Sequence, residues 1–343
     1  MNYDEIPHLL FTKSNFVLYL VIMRTRRIIF ISCVILLVLA RYSTSCSAQE
    51  IWFFPTDNLP RRGHVNSPDY MQLFDDKPKW KKALFRVQVF QMTPLFPIRA
   101  SDQDLIRLFS FLKQHHIALA LNMGLIANER GECGHGEGYI NPQEADLVIR
   151  RVKSLGGEPK YLVGDEPLYF GHTAKNKDVC QYTISELATR VAVIVDKVTA
   201  AFPDIEICMA EPVPGDAVWE LEKWISAFHT ATGRRISAFQ IDMDWRKPEW
   251  PLLIERTRRM LAKAKVKFGI IYDSSGPMNS DYDAFTSTKA NVELFEHTSP
   301  GRPDQVLFEN WTHHPSHVLP ETDITSHSYI INWYFERRNL GTN

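Results

Sequence analysis

The sequence predicts a single (β/α)8 barrel that begins at about Gln49 and occupies the rest of the 343-residue chain. Three observations carry that expectation. Eight short apolar runs of strand character follow one another along the chain. Amphipathic stretches with helical spacing lie between them. The first run ends in Pro55-Thr56-Asp57, not in the Gly-rich turn that usually opens a doubly wound open sheet. Alternating strands and helices dictate a parallel sheet, and eight is the number that closes into a barrel.

The expected strands are Ile51–Pro55, Ala83–Gln91, Ile117–Met123, Tyr161–Val163, Ile205–Ala210, Ile236–Met243, Phe268–Tyr272 and Val306–Phe308. Helices are expected over Asp104–His115, Pro142–Leu155, Ile184–Phe202, Ala217–Thr230 and Trp250–Ala264. In the first of these, Leu105, Leu108, Phe109 and Leu112 recur on one helical face. Ser101-Asp102 caps that helix, Asn141-Pro142 opens the next, and Gly156-Gly157 closes it. Pro315–Tyr334 is expected to add a last loop and helix that close the barrel. No repeat, low-complexity tract or second domain interrupts residues 49–343.

Residues 1–48 read differently. Met23-Arg24-Thr25-Arg26-Arg27 is a basic block, Ile28–Ala40 is apolar, and Ser43-Thr44-Ser45-Cys46-Ser47-Ala48 is small and polar. That order is the layout of a secretory signal peptide with cleavage after Ala48. The apolar run is shorter than the roughly 20 residues a membrane span needs. Residues 1–22 read as an over-extended start, with Met23 the true one. A secreted or periplasmic location is expected, with membrane contact only through an uncleaved signal peptide.

A net charge of −1 and the lack of a long basic stretch argue against nucleic acid and anionic membranes as partners. Three cysteines follow Ala48. Cys208 sits in an apolar run and is expected to be buried. Cys133 and Cys180 lie in two polar loops, and an oxidising compartment would let them pair as a disulfide. No cysteine spacing of metal-binding type is present, and no cofactor is expected.

Barrel enzymes place their working residues where strands end. The first three expected strands end at Asp57-Asn58, Gln91 and Asn122. The fourth ends at Gly164-Asp165-Glu166-Pro167, and the fifth at Glu211. The sixth ends at Asp242-Met243-Asp244-Trp245, the seventh at Asp273, and the eighth at Glu309-Asn310-Trp311. Strands four to eight therefore each end in at least one carboxylate. One such acid is ordinarily a helix cap, but five consecutive ends facing one mouth raise one another's pKa and mark a functional site. Trp245, Trp311, Tyr169 and Phe170 follow these ends, and aromatic rings of this kind stack on the C–H faces of sugars. Trp52, inside the first strand, is expected to fill the core.

The Asp165-Glu166-Pro167 stretch at the fourth strand resembles the Asn-Glu-Pro motif of the cellulase-like superfamily of retaining (β/α)8 glycoside hydrolases. The resemblance implies Glu166 as catalytic acid/base, with Asp165 in the place of the asparagine that contacts the sugar 2-hydroxyl. Asp for Asn adds charge beside Glu166. The superfamily's nucleophile is a glutamate ending strand seven, where this chain has Asp273; Glu309 is the other candidate, one strand later. Asn122, Asp165, Glu211, Asp244, Trp245, Trp311, Tyr169 and His313 are the expected sugar-binding residues. The expected function is an exported glycoside hydrolase acting on a polysaccharide or oligosaccharide.

Two other readings remain open. A barrel could bind glycan without cleaving it, as part of polysaccharide secretion. Alternatively, His135, His172, His313 and His314 with Glu211, Asp244 and Glu309 could form the divalent-metal site of a sugar isomerase or lyase. No His-Glu-x-x-His spacing supports the metal.

Overall fold

Eight parallel strands close into a ring: β1 (Glu50–Phe54), β2 (Val89–Met92), β3 (Ala118–Met123), β4 (Pro159–Asp165), β5 (Glu206–Pro212), β6 (Ile236–Asp242), β7 (Lys267–Tyr272) and β8 (Gln305–Glu309). Each pairs with its sequence neighbours, and β8 returns to β1 with Phe54 opposite Glu309. The helices are α1 (Asp102–Gln114) after β2, α2 (Pro142–Ser154) after β3, and α3 (Ile184–Ala201) after β4. Then come α4 (Val218–Thr232), α5 (Trp250–Ala264), α6 (Asp281–Thr298) and α7 (Tyr329–Leu340) after β5 to β8 in turn. The chain is a single (β/α)8 barrel. The structure is a computed structural model, and it describes residues 49–60, 66–128, 133–175, 179–212, 218–299 and 301–340. The expected signal peptide and the start before it lie outside the described residues. Among the described residues no helix is long and apolar enough to cross a membrane.

Local chemistry explains the helix boundaries. The Ser101 side chain accepts from the Asp104 N–H, Asn141 from the Gln143 N–H, and Thr183 and Glu186 form a reciprocal capping box. Two expectations differ from the structure. Ala83–Gln91 reads as one strand, but only its last part joins the sheet. Lys81–Leu84 is a helical turn, because the Glu321 carboxylate accepts from the N–H groups of Lys82 and Ala83 at 3.0 and 2.8 Å. The helix α6 was absent from the expected set. Its buried face is thin, only Ala284, Phe285, Asn291, Val292 and Phe295, and Thr, Ser and Lys mask the periodicity.

Alternation decides what each strand turns inward. Trp52 and Phe54, Val89, Ala120, Tyr161 and Val163, Cys208 and Ala210, Ala238, Ile271 and Leu307 form an inner cluster. The other parity, including Ile51, Phe53, Ile207, Met209, Phe239 and Ile241, packs against the helices. Inside the ring, Trp52 and Tyr161 are the large members, with ring centroids 4.7 Å apart. Alanines at 118, 120, 210 and 238 leave the room those two rings fill. Below them Glu50 closes the floor, accepting from the Tyr161 hydroxyl at 2.9 Å and the Gln305 amide at 3.0 Å.

Trp52 is fully buried. Its replacement by alanine leaves a cavity that alanine neighbours cannot fill. Trp52→Ala is expected to cost about 3–5 kcal/mol, read as a lower denaturant midpoint with an unchanged slope.

Candidate active site

The inward parity, continued one step past the apolar filling, produces the mouth of the barrel. Gln91 follows Val89, Asn122 follows Ala120, and Asp165 follows Val163. Asp242 follows Gln240, Asp273 follows Ile271, and Glu309 follows Leu307. Above this layer opens a cleft of about 610 Å³. Glu137, Asp165, Glu166, Asp242 and Glu309 line it, and Arg99 is the one cation among its described lining residues.

Glu166 reaches the cleft by a backbone turn. It follows the last residue of β4 and holds φ at +49°, a left-handed conformation that costs a side-chain-bearing residue energy and concentrates at functional sites. Its N–H donates to the Ala210 carbonyl at 3.0 Å, and its own carbonyl accepts from the Phe170 N–H at 3.0 Å. Pro167 follows, and Tyr169–Thr173 forms a π-helical turn. The Glu211 carboxylate accepts from the N–H groups at the start of that turn, Leu168 at 2.7 Å and Tyr169 at 3.1 Å.

A second loop locks this segment from above. Cys133 and Cys180 are joined by a disulfide, with Cα atoms 5.2 Å apart. The Tyr139 hydroxyl donates to the Phe170 carbonyl at 2.8 Å and accepts from the Cys180 N–H at 3.0 Å. Gly138 has φ +85°, and a Cβ there would lie 3.0 Å from the Asp165 carbonyl. Only glycine lets the loop come so close, and that approach carries Glu137 to the lip of the cleft.

Burial and mutual repulsion shift the carboxylates together. Burial pushes Asp242 up to about 6, with Glu137 and Asp244 adding to it. Burial and Glu137 push Asp165 up to about 7, against a hydrogen bond from Asn122. Glu166, Glu309 and Asp273 all stand well above the usual carboxylate range, first through burial and then through the charge of Asp242. Asp242 is the charge shared by the other four shifts.

The structure separates the expected residues into two groups. Asn122, Asp165, Glu166, Glu309 and Trp311 come together around the cleft. The others do not line it. Glu211 has the outward parity of Ile207 and Met209, so it is a backbone cap rather than a sugar ligand. Asp244 lies beyond the end of β6 and pairs with Arg246 at 2.7 Å, where water reaches both. Trp245 is 6% exposed and packs among Trp250, Tyr272 and Phe295, with ring centroids 5.4–6.3 Å away, so it offers no stacking face. Tyr169 packs on Phe170 in the π turn. His313 is exposed to solvent and is not among the residues that line the cleft. Asp273 is buried beside the cleft, its Oδ2 taking the Trp311 indole N–H at 2.8 Å.

Two cleft residues escaped the expected set. Asp242 had a sequence signal, because the alternation Ala238, Gln240, Asp242 turns it inward. Glu137 had none, since the disulfide and the Gly138 contact place it. Among the described residues no three His, Cys, Asp or Glu side chains converge as metal ligands. His314 is instead paired with Asp281.

No family model and no curated protein matches the sequence. Among solved structures the chain is similar to native xylanase 10B from Thermotoga maritima. That match has 10% identity over 84% of this chain and 95% of that one, at a TM-score of 0.50. It is also similar to a thermostable mutant of the xylanase Xyn10A from Cellvibrio japonicus (11% identity, 77% and 87% covered, TM-score 0.46). The GH10 structure from Paenibacillus barcinonensis gives 10% identity, 77% and 84% covered, and a TM-score of 0.46. The Thermotoga likeness shows a shared fold, the (β/α)8 barrel.

A carboxyl group whose folded pKa is raised keeps a proton that the unfolded chain releases. Its contribution to stability is full below the unfolded value and is lost as pH rises through the folded one. For Asp165 that window runs from about 4 to about 7. Asp165→Asn removes this loss. The stability of the variant relative to the parent protein is expected to rise by about 1–3 kcal/mol between about pH 5 and pH 8. Denaturant titrations at the two pH values measure it.

Proposed function

We propose that the protein is an exported glycoside hydrolase that cleaves glycosidic bonds with a carboxylate pair. One observation carries the reading: Glu166 and Asp242 line one open cleft, and their environments set their protonation apart. Such divergence assigns acid and base roles. Glu166 is held well above its ordinary range by burial and then by Asp242, which favours its protonated form. Asp242, pushed only to about 6, is ionised there.

In this mechanism Glu166 gives its proton to the glycosidic oxygen as the bond from that oxygen to the anomeric carbon breaks. Asp242 either attacks the anomeric carbon or takes a proton from the water that does. Either way water supplies the hydroxyl of the new reducing end. Trp311, half exposed beside Glu309, offers a ring face for the sugar. Asp165 and Asn122 contact the hydroxyls. Asp273 is less suited to attack than the motif resemblance suggests, because Trp311 holds one oxygen and burial favours its protonated form. Burial, and then the charge of Asp242, also favours the protonated form of the cleft-facing Glu309.

Glu166→Gln is expected to lower turnover by about 10²–10⁴-fold with the protein still folded. Full activity in that variant would overturn the assignment. The pH profile is expected to rise as Asp242 ionises near 6 and to fall when Glu166 loses its proton. Asp242→Asn is expected to remove activity, whereas Asp273→Asn is expected to retain most of it; initial rates across pH on a panel of oligosaccharides separate the three.

A further inference from the structure

The cleft has two unlike sides. Its strand-end carboxyl groups come from β4, β6 and β8, as Asp165 with Glu166, Asp242 and Glu309. The ends of β2 and β3 carry amides instead, Gln91 and Asn122, and the chain after β2 adds Arg99. In the closed ring β2 stands opposite β6, four strands away in either direction. The amide side and Arg99 therefore face Asp242 across the mouth.

Arg99 is not an ordinary solvated surface cation. It ends the helical turn Phe96–Arg99, and Arg151 of α2 clamps the backbone on both sides of it. The Arg151 guanidinium donates to the carbonyls of Pro97 at 2.7 Å, Ile98 at 3.1 Å and Ala100 at 2.7 Å. The backbone is thus fixed while the Arg99 side chain stands exposed at the cleft. An arginine that only balanced the acids of this cleft would pair with one of them. Arg99 makes no hydrogen bond or ion pair among the described residues, and it is not among the leading influences on Asp165, Glu166, Asp242 or Glu309. Its fork of N–H donors remains available, and that fork matches two oxygens of one oxyanion.

Beside it lie two buried acceptors. Gln91 Oε1 and Asn122 Oδ1 have no hydrogen-bond partner among the described residues, which are 1% and 4% exposed. A buried acceptor without a donor is costly, and a sugar hydroxyl supplies the donor. One side of the cleft thus offers acceptors for hydroxyl groups at its floor and a guanidinium at its lip.

We propose that this side is a subsite for an acidic sugar, a glycan unit whose hydroxyls donate to Gln91 and Asn122 and whose oxyanion, a carboxylate or a sulfate ester, is held by Arg99. The inference rests on the glycosidase reading and names its substrate class. Arg99 sets specificity and takes no part in breaking the bond. The placement of β2 opposite β6 keeps the bound anion across the cleft from Asp242, the ionised acid of the proposed mechanism.

Binding and cleavage are to be scored separately on the full chain. Calorimetry with oligomers of glucuronic and galacturonic acid, sulfated galactose oligomers, and neutral glucose and galactose oligomers measures binding. Release of reducing ends measures cleavage. At least one acidic set is expected to bind about threefold or more tighter than the neutral sets, with the preference shrinking as salt rises from about 0.05 to 0.5 M. Which acidic set binds tells carboxylate from sulfate. Arg99→Gln is expected to reduce the preference for acidic over neutral forms by about threefold or more, and Arg99→Lys, which keeps the charge without the fork, to reduce it less. Equal or tighter binding of the neutral forms overturns the substrate class, and their cleavage would leave the glycosidase reading standing. Selective binding of an acidic form without cleavage supports the subsite and overturns the glycosidase reading instead. No binding of acidic forms, or a preference that survives Arg99→Gln, overturns the proposal.

Discussion

A closed ring of parallel strands leaves no strand free to choose which residues face inward. Each register is held on both sides, from β1 against β2 round to β8 against β1. A one-residue slip would exchange the inner filling for the helix-facing core along the whole strand. The carboxyl groups that end β4, β6 and β8 are therefore held together by a constraint they do not control. They cannot swing apart as surface acids do. Burial, and then their mutual repulsion, favours keeping protons, and the raised pKa values of Asp165, Asp242 and Glu309 are the result. The energy that holds this arrangement comes from elsewhere, chiefly the filling around Trp52 and Tyr161 and the apolar layer under the helices.

Glu166 is the exception to alternation, and so it needs its own support. Simple parity would turn it outward, toward the helices. The left-handed turn at φ +49° brings it to the cleft instead. Three contacts oppose that strain. Glu211 caps the turn that follows, Tyr139 bonds the Phe170 carbonyl, and Gly138 packs on the Asp165–Glu166 backbone. The disulfide anchors the loop that supplies the last two. An acid in the outer layer and a loop from the previous strand thus do positioning work for one side chain.

The barrel was legible in the sequence because its signal is redundant. Each of the eight strands appears as an apolar run, and an error such as starting β2 at Ala83 leaves the count intact. The position of Glu166 was legible for the same reason, through its place after the fourth run. The rest of the site turned on single-residue parity, where no redundancy exists. Asp242 and Asp244 share a parity, but β6 ends at Asp242, and beyond it the chain is free to take Asp244 out to Arg246. Glu211 and Trp245 are chemically apt for a sugar site, yet one faces the helices and the other lies in their core. Glu137 depends on a covalent link across 47 residues of sequence, and no local pattern encodes that.

These differences bear on how far the motif resemblance extends. Fold alone does not carry chemistry. In the cellulase-like pattern the partner of the strand-four acid ends strand seven. Here one oxygen of the strand-seven carboxylate is engaged: Oδ2 accepts the Trp311 indole N–H at 2.8 Å, while Oδ1 is buried without a partner among the described residues. That bond orients Trp311, whose ring is left half exposed at the cleft. Asp273 thus serves the site by aiming an aromatic face. The proposed mechanism therefore gives the charged role to Asp242, whose pKa is raised only to about 6. In the proposed mechanism the second carboxylate has moved from β7 to β6, and the tryptophan after β8 occupies the position this vacates.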